Sequence, residues 1–111
     1  MTGHKRQAAE KSARQYLEMR GFQILETNFK RSKYEIDLIA TKNQNLYFMA
    51  IHWADDTMSS LDMLAPSNLD RARRAGASWL EENQWTGAVH NGVIILDQIS
   101  FAVINIIEDL F

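Results

Sequence analysis

Two acids and a histidine lie at alternating positions of two neighbouring apolar segments. Glu35 and Asp37 belong to the segment from Tyr34 to Ala40, and His52 belongs to the segment from Leu46 to Trp53. Carboxylate oxygens and imidazole nitrogens can bind divalent metals and transfer protons. The alternative is that the three residues form the solvated side of a sheet that is covered on one face only.

The two segments alternate in polarity and predict an antiparallel hairpin with a polar turn at residues 42–45. In an antiparallel hairpin the numbers of opposite residues add up to a constant. Placing Ala40 opposite Tyr47 therefore sets every other pair. Asp37 then faces Ala50, and the other acid faces the histidine. Because side chains alternate across a strand, the second face of the hairpin is expected to be one apolar core surface. That surface would comprise Tyr34, Ile36, Leu38, Tyr47, Met49, Ile51 and Trp53.

Helical and β patterns surround this hairpin. Apolar residues repeat at helical spacing from His4 to Arg20, and Gly21 is placed to end that helix. A strand is predicted from Phe22 to Phe29, followed by a basic turn at residues 30–33. The first half of the chain is therefore expected to be a helix followed by a three-stranded meander.

The second half is expected to begin with a loop that includes a short helical turn from Leu61 to Leu64. A second helix is predicted from Ser67 to about Asn83. Gly92 opens an apolar hairpin with a tight turn at residues 97–98 and a last strand to Ile107. This order predicts an α/β fold in which helices flank a mixed central sheet.

Length and composition limit the possible classes of protein. The 111 residues are expected to form a single domain over residues 1–111. The absence of cysteine excludes disulfides, thiolate catalysis and thiolate metal sites. No apolar run is long enough to cross a bilayer, and the N-terminus lacks the apolar core of a signal peptide. A cytoplasmic protein without a membrane partner is expected.

Charge is unevenly distributed along the chain. Residues 1–42 contain nine Lys/Arg and five Asp/Glu, whereas residues 43–111 contain three and nine, which gives the net charge of −2. A phosphate-binding surface would therefore use the first third of the chain and the basic start of the second helix. Basic residues scattered on solvated helix faces explain the same counts. The candidates for nucleic-acid binding are Lys30, Arg31, Lys33, Arg71 and Arg74.

Several phrases of the chain resemble one family of small bacterial proteins. The phrases RGFQILETNFKR, EIDLIA and LYFMAIH, with Glu10 in the first helix and the terminal DLF, resemble the YraN-like family (UPF0102), usually described as candidate endonucleases. The resemblance covers almost the whole chain. The family is placed in the PD-(D/E)XK nuclease superfamily, which implies a restriction-endonuclease-like αβββαβ core.

The resemblance also implies a catalytic site. In such nucleases an acid on the second strand and an acid on the third hold Mg²⁺, and a lysine two residues later orients the attacking water. Carried over, Asp37 is the first acid, Glu35 lies beside it and Glu10 approaches from the helix. Ala50 stands at the position of the second acid, and His52 stands at that of the lysine.

Both departures weaken the implied chemistry. Mg²⁺ or Mn²⁺, held by Asp37 and Glu35, would lack one carboxylate that the methyl group of Ala50 cannot replace. Histidine is mostly neutral at neutral pH, whereas lysine is a permanent cation. We therefore expect a nuclease-fold protein that binds nucleic acid, DNA rather than RNA, with cleavage lost or weakened.

Two alternatives remain open at this point. Glu10, Glu35, Asp37 and His52 could form a rebuilt catalytic site around an ion such as Mn²⁺, Co²⁺ or Zn²⁺. Alternatively, the apolar hairpin from Gly92 to Ile107, with the tail residues Leu110 and Phe111, could form a homodimeric interaction module.

Overall fold

The computed structural model describes residues 3–32, 34–54 and 66–108, and these residues form two helices and five strands. Within these ranges, neither helix is long and apolar enough to cross a membrane. The helical turn predicted from Leu61 to Leu64 and the tail residues Leu110 and Phe111 lie outside the described residues. The helices are α1 (Gly3–Met19) and α2 (Pro66–Asn83), and the strands are β1 (Gln23–Arg31), β2 (Tyr34–Lys42), β3 (Asn45–Ala54), β4 (Val89–Asp97) and β5 (Val103–Ile107).

The five strands form one sheet in the order β1-β2-β3-β4-β5. Neighbouring strands are antiparallel except for β3 and β4, which are parallel. Parallel neighbours cannot be joined by a tight turn, and the connection between these two strands contains α2. The predicted α/β class is confirmed, and the mixed sheet with its two helices is consistent with the restriction-endonuclease-like αβββαβ core.

Each face of the sheet has its own apolar core. Helix α1 contributes Ala9, Ala13 and Leu17, whose spacing puts them on one stripe, to a core with Leu38, Met49, Ile94 and Leu96. Helix α2 contributes Ala75 and Trp79 to the core on the other face. That second core also contains Phe29, Ile36, Ile39, Leu46 and Phe48.

The end of α1 is fixed by a backbone turn at Gly21. The Phe22 N–H donates to the Leu17 carbonyl at 3.0 Å, and the Gly21 N–H donates to the Glu18 carbonyl at 3.1 Å. This pair of bonds is the Schellman motif, which requires a left-handed residue where Gly21 has a φ of 90°. The turn directs the chain into β1, so the predicted role of Gly21 as the end of the helix is confirmed.

Three predicted boundaries are wrong, and one of them is the start of β4, which lies at Val89 rather than at Gly92. Strand β1 continues to Arg31, because Lys30 and Arg31 pair with β2, so the predicted basic turn is mostly strand. The turn after β4 is longer than predicted, and β5 begins at Val103. The carboxylate of Asp97 accepts the backbone N–H groups of Ile99 and Ser100 at 3.0 and 2.8 Å and so stabilises this wider turn.

Candidate functional site

Strand β2 changes face at Asp37. Ile36 packs in the core beneath α2, whereas Leu38 packs in the core beneath α1. Residues two apart on a regular strand would share a face, so the alternation is interrupted between them. The predicted single apolar surface, which placed Ile36 and Leu38 together, is therefore wrong.

The register of the hairpin is as predicted up to Leu38, but the predicted pairs of Asp37 with Ala50 and of Glu35 with His52 are not part of the described ladder. Ala40 lies opposite Tyr47, and the described pairs of β2 and β3 continue to Leu38 opposite Met49. Beyond that pair, Oδ2 of Asp37 accepts the backbone N–H of Ile51 at 2.7 Å. The Asp37 side chain thus satisfies a β3 donor at the point where the backbone pairs of the ladder end.

The other oxygen of Asp37 is paired with an arginine from α1. Nη2 of Arg6 donates to Oδ1 of Asp37 at 2.9 Å and lies 3.6 Å from Oε1 of Glu35. Burial raises the pKa of Asp37, while the Ile51 N–H and the charge of Arg6 act in the opposite direction. The carboxylate therefore depends on these two partners for its stability inside the protein.

Glu10 is held by an asparagine from β1. Nδ2 of Asn28 donates to Oε2 of Glu10 at 2.7 Å, and Nη2 of Arg6 donates to Oδ1 of Asn28 at 3.4 Å. Asn28 has a φ of 52°, a left-handed conformation that asparagine tolerates better than most residues. Arg6, Glu10, Asn28, Glu35 and Asp37 form a connected group, which we call the Asp37 cluster.

Glu35 lies at the rim of this cluster. Its side chain is 40% exposed, and Nζ of Lys30 lies 3.5 Å from Oε2. The cavity beside Asp37 has a volume of about 30 Å³, which is room for about one water molecule. It is lined by Ala9, Ile51, Trp53 and every member of the Asp37 cluster except Glu35.

Ala50 and His52 lie on the opposite face of β3 from Ile51 and Trp53. Strand β3 pairs with β4 without interruption, and Ile51 and Trp53 pack with the core beneath α1. By alternation, Ala50 and His52 point the other way, and neither lines the cavity beside Asp37. This contradicts the predicted shared face of acids, alanine and histidine.

His52 still interacts with Asp37 electrostatically. Partial burial lowers the pKa of His52, and the negative charge of Asp37 opposes this effect. In the described part of the chain, no hydrogen bond joins the two side chains. His52 is therefore a neutral neighbour of the Asp37 cluster at neutral pH.

The residues present do not fit a divalent cation. Mg²⁺ and Mn²⁺ need several oxygen ligands with lone pairs available to the metal. Both oxygens of Asp37 accept hydrogen bonds, one oxygen of Glu10 accepts another, and the guanidinium of Arg6 lies among them. Across residues 3–32, 34–54 and 66–108, no group of three acids or histidines could hold a metal ion.

Most of the predicted nucleic-acid-binding residues are in ion pairs. Lys30 lies near Glu35, Arg31 binds both carboxylate oxygens of Glu82, and Arg74 donates to Asp70 at 2.8 Å. Side-chain hydrogen bonding to Glu82 and Asp70 raises the pKa values of Arg31 and Arg74, respectively. Arg71 is exposed on α2, and Lys33 lies outside the described residues.

Sequence reasoning missed the two residues that complete the Asp37 cluster. Arg6 lies four residues before Glu10 and therefore on the same side of α1, which is a signal that was available. Asn28 gave no signal, because its role depends on a left-handed backbone within a strand. Neither contact with Asp37 or Glu10 follows from local pattern alone.

Comparison with known proteins agrees with the resemblance seen in the sequence. The family model described as "Uncharacterised protein family UPF0102" matches residues 9–106. A UPF0102 protein of Aliarcobacter butzleri is 30% identical over 97 residues, which is 86% of this chain and 88% of that protein. A UPF0102 protein of Shewanella woodyi is 28% identical over 82% of this chain and 80% of its own length. One from Syntrophomonas wolfei is 27% identical over 90% of this chain and 81% of its own length.

Proposed function

We propose that this chain, which belongs to the uncharacterised protein family UPF0102, binds nucleic acid through a nuclease-like fold whose metal-dependent cleavage is lost or weakened. One observation carries the proposal, namely the pairing of Arg6 with Asp37 at 2.9 Å. In the nucleases that this chain resembles, that carboxylate holds a metal ion. In this chain the carboxylate of Asp37 instead accepts a hydrogen bond from the guanidinium of Arg6.

An arginine cannot replace the chemistry of the metal. A catalytic metal provides open coordination positions that orient and activate a water molecule. The guanidinium of Arg6 provides hydrogen-bond donors and no lone pair or coordination position. The methyl group of Ala50 and the opposite orientation of His52 supply no further ligand beside Asp37.

Binding of nucleic acid is supported by the charge of the first third of the chain. Residues 1–42 carry four more basic than acidic residues, although the whole chain carries a net charge of −2. Arg20, directly after α1, is exposed, as is Arg71 of α2. Binding would therefore be local and would weaken steeply as salt concentration increases.

The test combines a binding assay with a cleavage assay. Fluorescence anisotropy of labelled single-stranded DNA, duplex DNA and RNA, repeated at several salt concentrations, should show salt-dependent binding with a preference for DNA. The same substrates incubated with Mg²⁺ or Mn²⁺ should remain intact. Robust cleavage that Asp37→Asn abolishes would contradict the proposal, as would the absence of binding to all substrates.

A matched variant tests whether Arg6 is the feature that excludes a metal. Arg6→Gln removes the charge beside Asp37 and leaves a shorter, uncharged polar side chain. Calorimetric titration with Mn²⁺ should detect no binding to the original chain, and binding to Arg6→Gln alone would identify Arg6 as the group that excludes the metal. If the original chain binds Mn²⁺ and Asp37→Asn does not, the active alternative with a rebuilt metal site becomes the better explanation.

A homodimer is a second candidate, and the exposure of β5 favours it. In the described part of the chain β5 pairs with β4 alone, and Ile104 is 56% exposed. An apolar edge strand can pair with a second copy of itself. Sedimentation at micromolar concentration should then show a dimer that Ile104→Lys converts to a monomer. A monomer in the original chain would exclude this candidate.

A further inference from the structure

The structure contains an open groove at the far end of α1 from the Asp37 cluster. Its volume is about 580 Å³, which lies in the range of roughly 300–1,000 Å³ typical of ligand sites. Glu10 and Arg20 are ten residues apart, so at ~1.5 Å per residue the groove lies about 15 Å from the cluster. The groove is lined by Tyr16, Arg20, Phe22, Lys42, Asn43, Tyr47, Glu108 and residues 104–106 of β5.

Aromatic rings and cations alternate along this groove. The guanidinium of Arg20 lies 4.5 Å from the ring centre of Tyr16, and Nζ of Lys42 lies 5.1 Å from that of Phe22. Phe22 and Tyr47 meet edge to face with 5.0 Å between ring centres. A planar guanidinium resting on an aromatic ring presents its other face as a second stacking surface.

The two cations of the groove pair with no acid in the part of the chain that the structure describes. Among residues 3–32, 34–54 and 66–108, no ion pair includes Arg20 or Lys42. In contrast, Arg6 lies near two carboxylates at the other end of the same helix. Arg20 and Lys42 therefore keep their charges available for an anionic ligand.

The charge of the groove favours stacked bases over a rigid duplex backbone. Glu108 lines the groove, and the carbonyl groups at the C-terminal end of α1 add partial negative charge. These groups offset part of the attraction of the two cations for phosphate. Aromatic stacking, which does not depend on net charge, must therefore supply much of the affinity.

We propose that the groove formed by Tyr16, Arg20, Phe22, Lys42 and β5 binds unpaired nucleotides of a nucleic acid. Bases stack on the Tyr16–Arg20 pair and on the exposed part of Phe22, and the two cations bind the adjacent phosphates. Stacking on aromatic and guanidinium planes is the usual way in which proteins hold single strands. This inference rests on the proposed binding of nucleic acid and adds that single-stranded nucleic acid is the preferred ligand.

Binding assays with matched probes test this inference. The probes are labelled oligothymidylate, a blunt duplex and the same duplex with a single-stranded overhang. The original chain should bind oligothymidylate and the overhang more tightly than the blunt duplex. Tyr16→Leu, which keeps the bulk but removes the aromatic face, should weaken binding to oligothymidylate by about tenfold, the effect of losing one stacked base.

A charge-matched pair of variants separates the groove from general attraction. Lys42→Glu and Lys11→Glu change the net charge equally, but Lys11 is an exposed residue of α1 outside the groove lining. If the groove is the binding site, Lys42→Glu should lose much more oligothymidylate binding than Lys11→Glu. Thermal unfolding should be unchanged in both variants. Equal losses would contradict the inference.

Nuclear magnetic resonance provides a readout that needs no variant. Addition of unlabelled oligothymidylate should shift the amide signals of groove residues Phe22, Lys42 and Asn43 more than those of Asn28 and Asp37. If nucleic acid binds but these signals do not move, the groove is not the site, and the proposed function still stands. If no probe binds, the proposed function fails as well. If polyglutamate shifts these signals and oligothymidylate does not, the groove binds an acidic polypeptide instead.

Discussion

The two ends of helix α1 use their basic residues differently. At one end Arg6 pairs with Asp37 and approaches Glu35, so that its charge is neutralised within the protein. At the other end Arg20 and Lys42 rest on aromatic rings, and within the described ranges no carboxylate pairs with them. We call the end at Arg6, whose charge is paired within the protein, the closed end. We call the end at Arg20 and Lys42, whose charges remain available to a ligand, the open end.

The comparison separates groups that stabilise the fold from groups that remain available to a ligand. The partly buried carboxylate of Asp37 accepts two hydrogen bonds and contributes to stability, because removing either partner leaves an unpaired polar group. A cation near the surface that lies on an aromatic ring contributes only about 0.5–1 kcal/mol to folding and keeps most of its donors for other partners. Variants at the two ends should therefore change different measurements.

The largest expected difference concerns stability. Asp37→Ala leaves the Ile51 N–H and the Arg6 guanidinium without their acceptor, and we expect a loss of about 2–3 kcal/mol in the free energy of unfolding. Lys42→Ala at the open end should lower that free energy by less than about 1 kcal/mol, because the half-buried Lys42 loses its contact with the Phe22 ring. Urea denaturation of both variants measures the difference.

Asp37→Asn is the control for this prediction. Its amide oxygen can still accept the Ile51 N–H, and the cost of burying a charge disappears. A smaller loss than for Asp37→Ala is therefore expected. Equal midpoints for Asp37→Ala and Lys42→Ala would remove the distinction between a closed and an open end.

The sequence contained enough information for the fold. Three apolar residues at helical spacing, Ala9, Ala13 and Leu17, identified the buried side of α1. The pairing of Ala40 with Tyr47 followed from two alternating segments and a polar turn. Periodicity and turn chemistry are local, and local signals sufficed for element order and register.

The candidate site depended on contacts that no local signal reveals. Buried apolar residues lie on both faces of the central strands, so alternation alone does not show where β2 changes face. The interruption puts Asp37 on the same face as Ile51 and Trp53, so Ala50 and His52 do not line its cavity. The contacts of Arg6 with Asp37 and of Lys42 with Phe22 join residues that are distant in the sequence.

A smaller effect is expected at the turn that ends α1. Gly21 has a φ of 90°, and an added Cβ would lie at an ordinary contact distance of 3.6 Å from Cε of Lys42. The cost of Gly21→Ala is therefore conformational, and we expect a loss of about 1 kcal/mol in unfolding free energy. Thermal or urea unfolding measures this loss.

Asparagine provides the matched control at the same position. Because asparagine tolerates a left-handed backbone, Gly21→Asn should lose less stability than Gly21→Ala. Asn28 shows the same conformation at the closed end, with a φ of 52°. If Gly21→Asn and Gly21→Ala are equally destabilised, contact with Lys42 rather than backbone strain limits this turn.

The smallest expected effect is a pH dependence at the closed end, where His52 lies near Asp37. The pKa of His52 is lowered from its ordinary value of 6.5 in the folded protein. The unfolded chain therefore takes up a proton near pH 6.5, whereas the folded protein resists protonation until lower pH. Since the unfolded state binds more protons in this interval, acidification through pH 6.5 should reduce the stability of the fold.

His52→Gln removes this contribution and should flatten the dependence of unfolding free energy on pH just below 6.5. Asp37 acts with the opposite sign, because its pKa is raised from 3.8 and the folded state gains the proton first. Asp37→Asn should therefore remove a contribution to stability that grows as the pH falls towards 3.8, which is the opposite trend to that of His52. Urea unfolding across both intervals distinguishes the two residues, and a His52→Gln profile that matches the original chain would show that His52 is not protected from protonation.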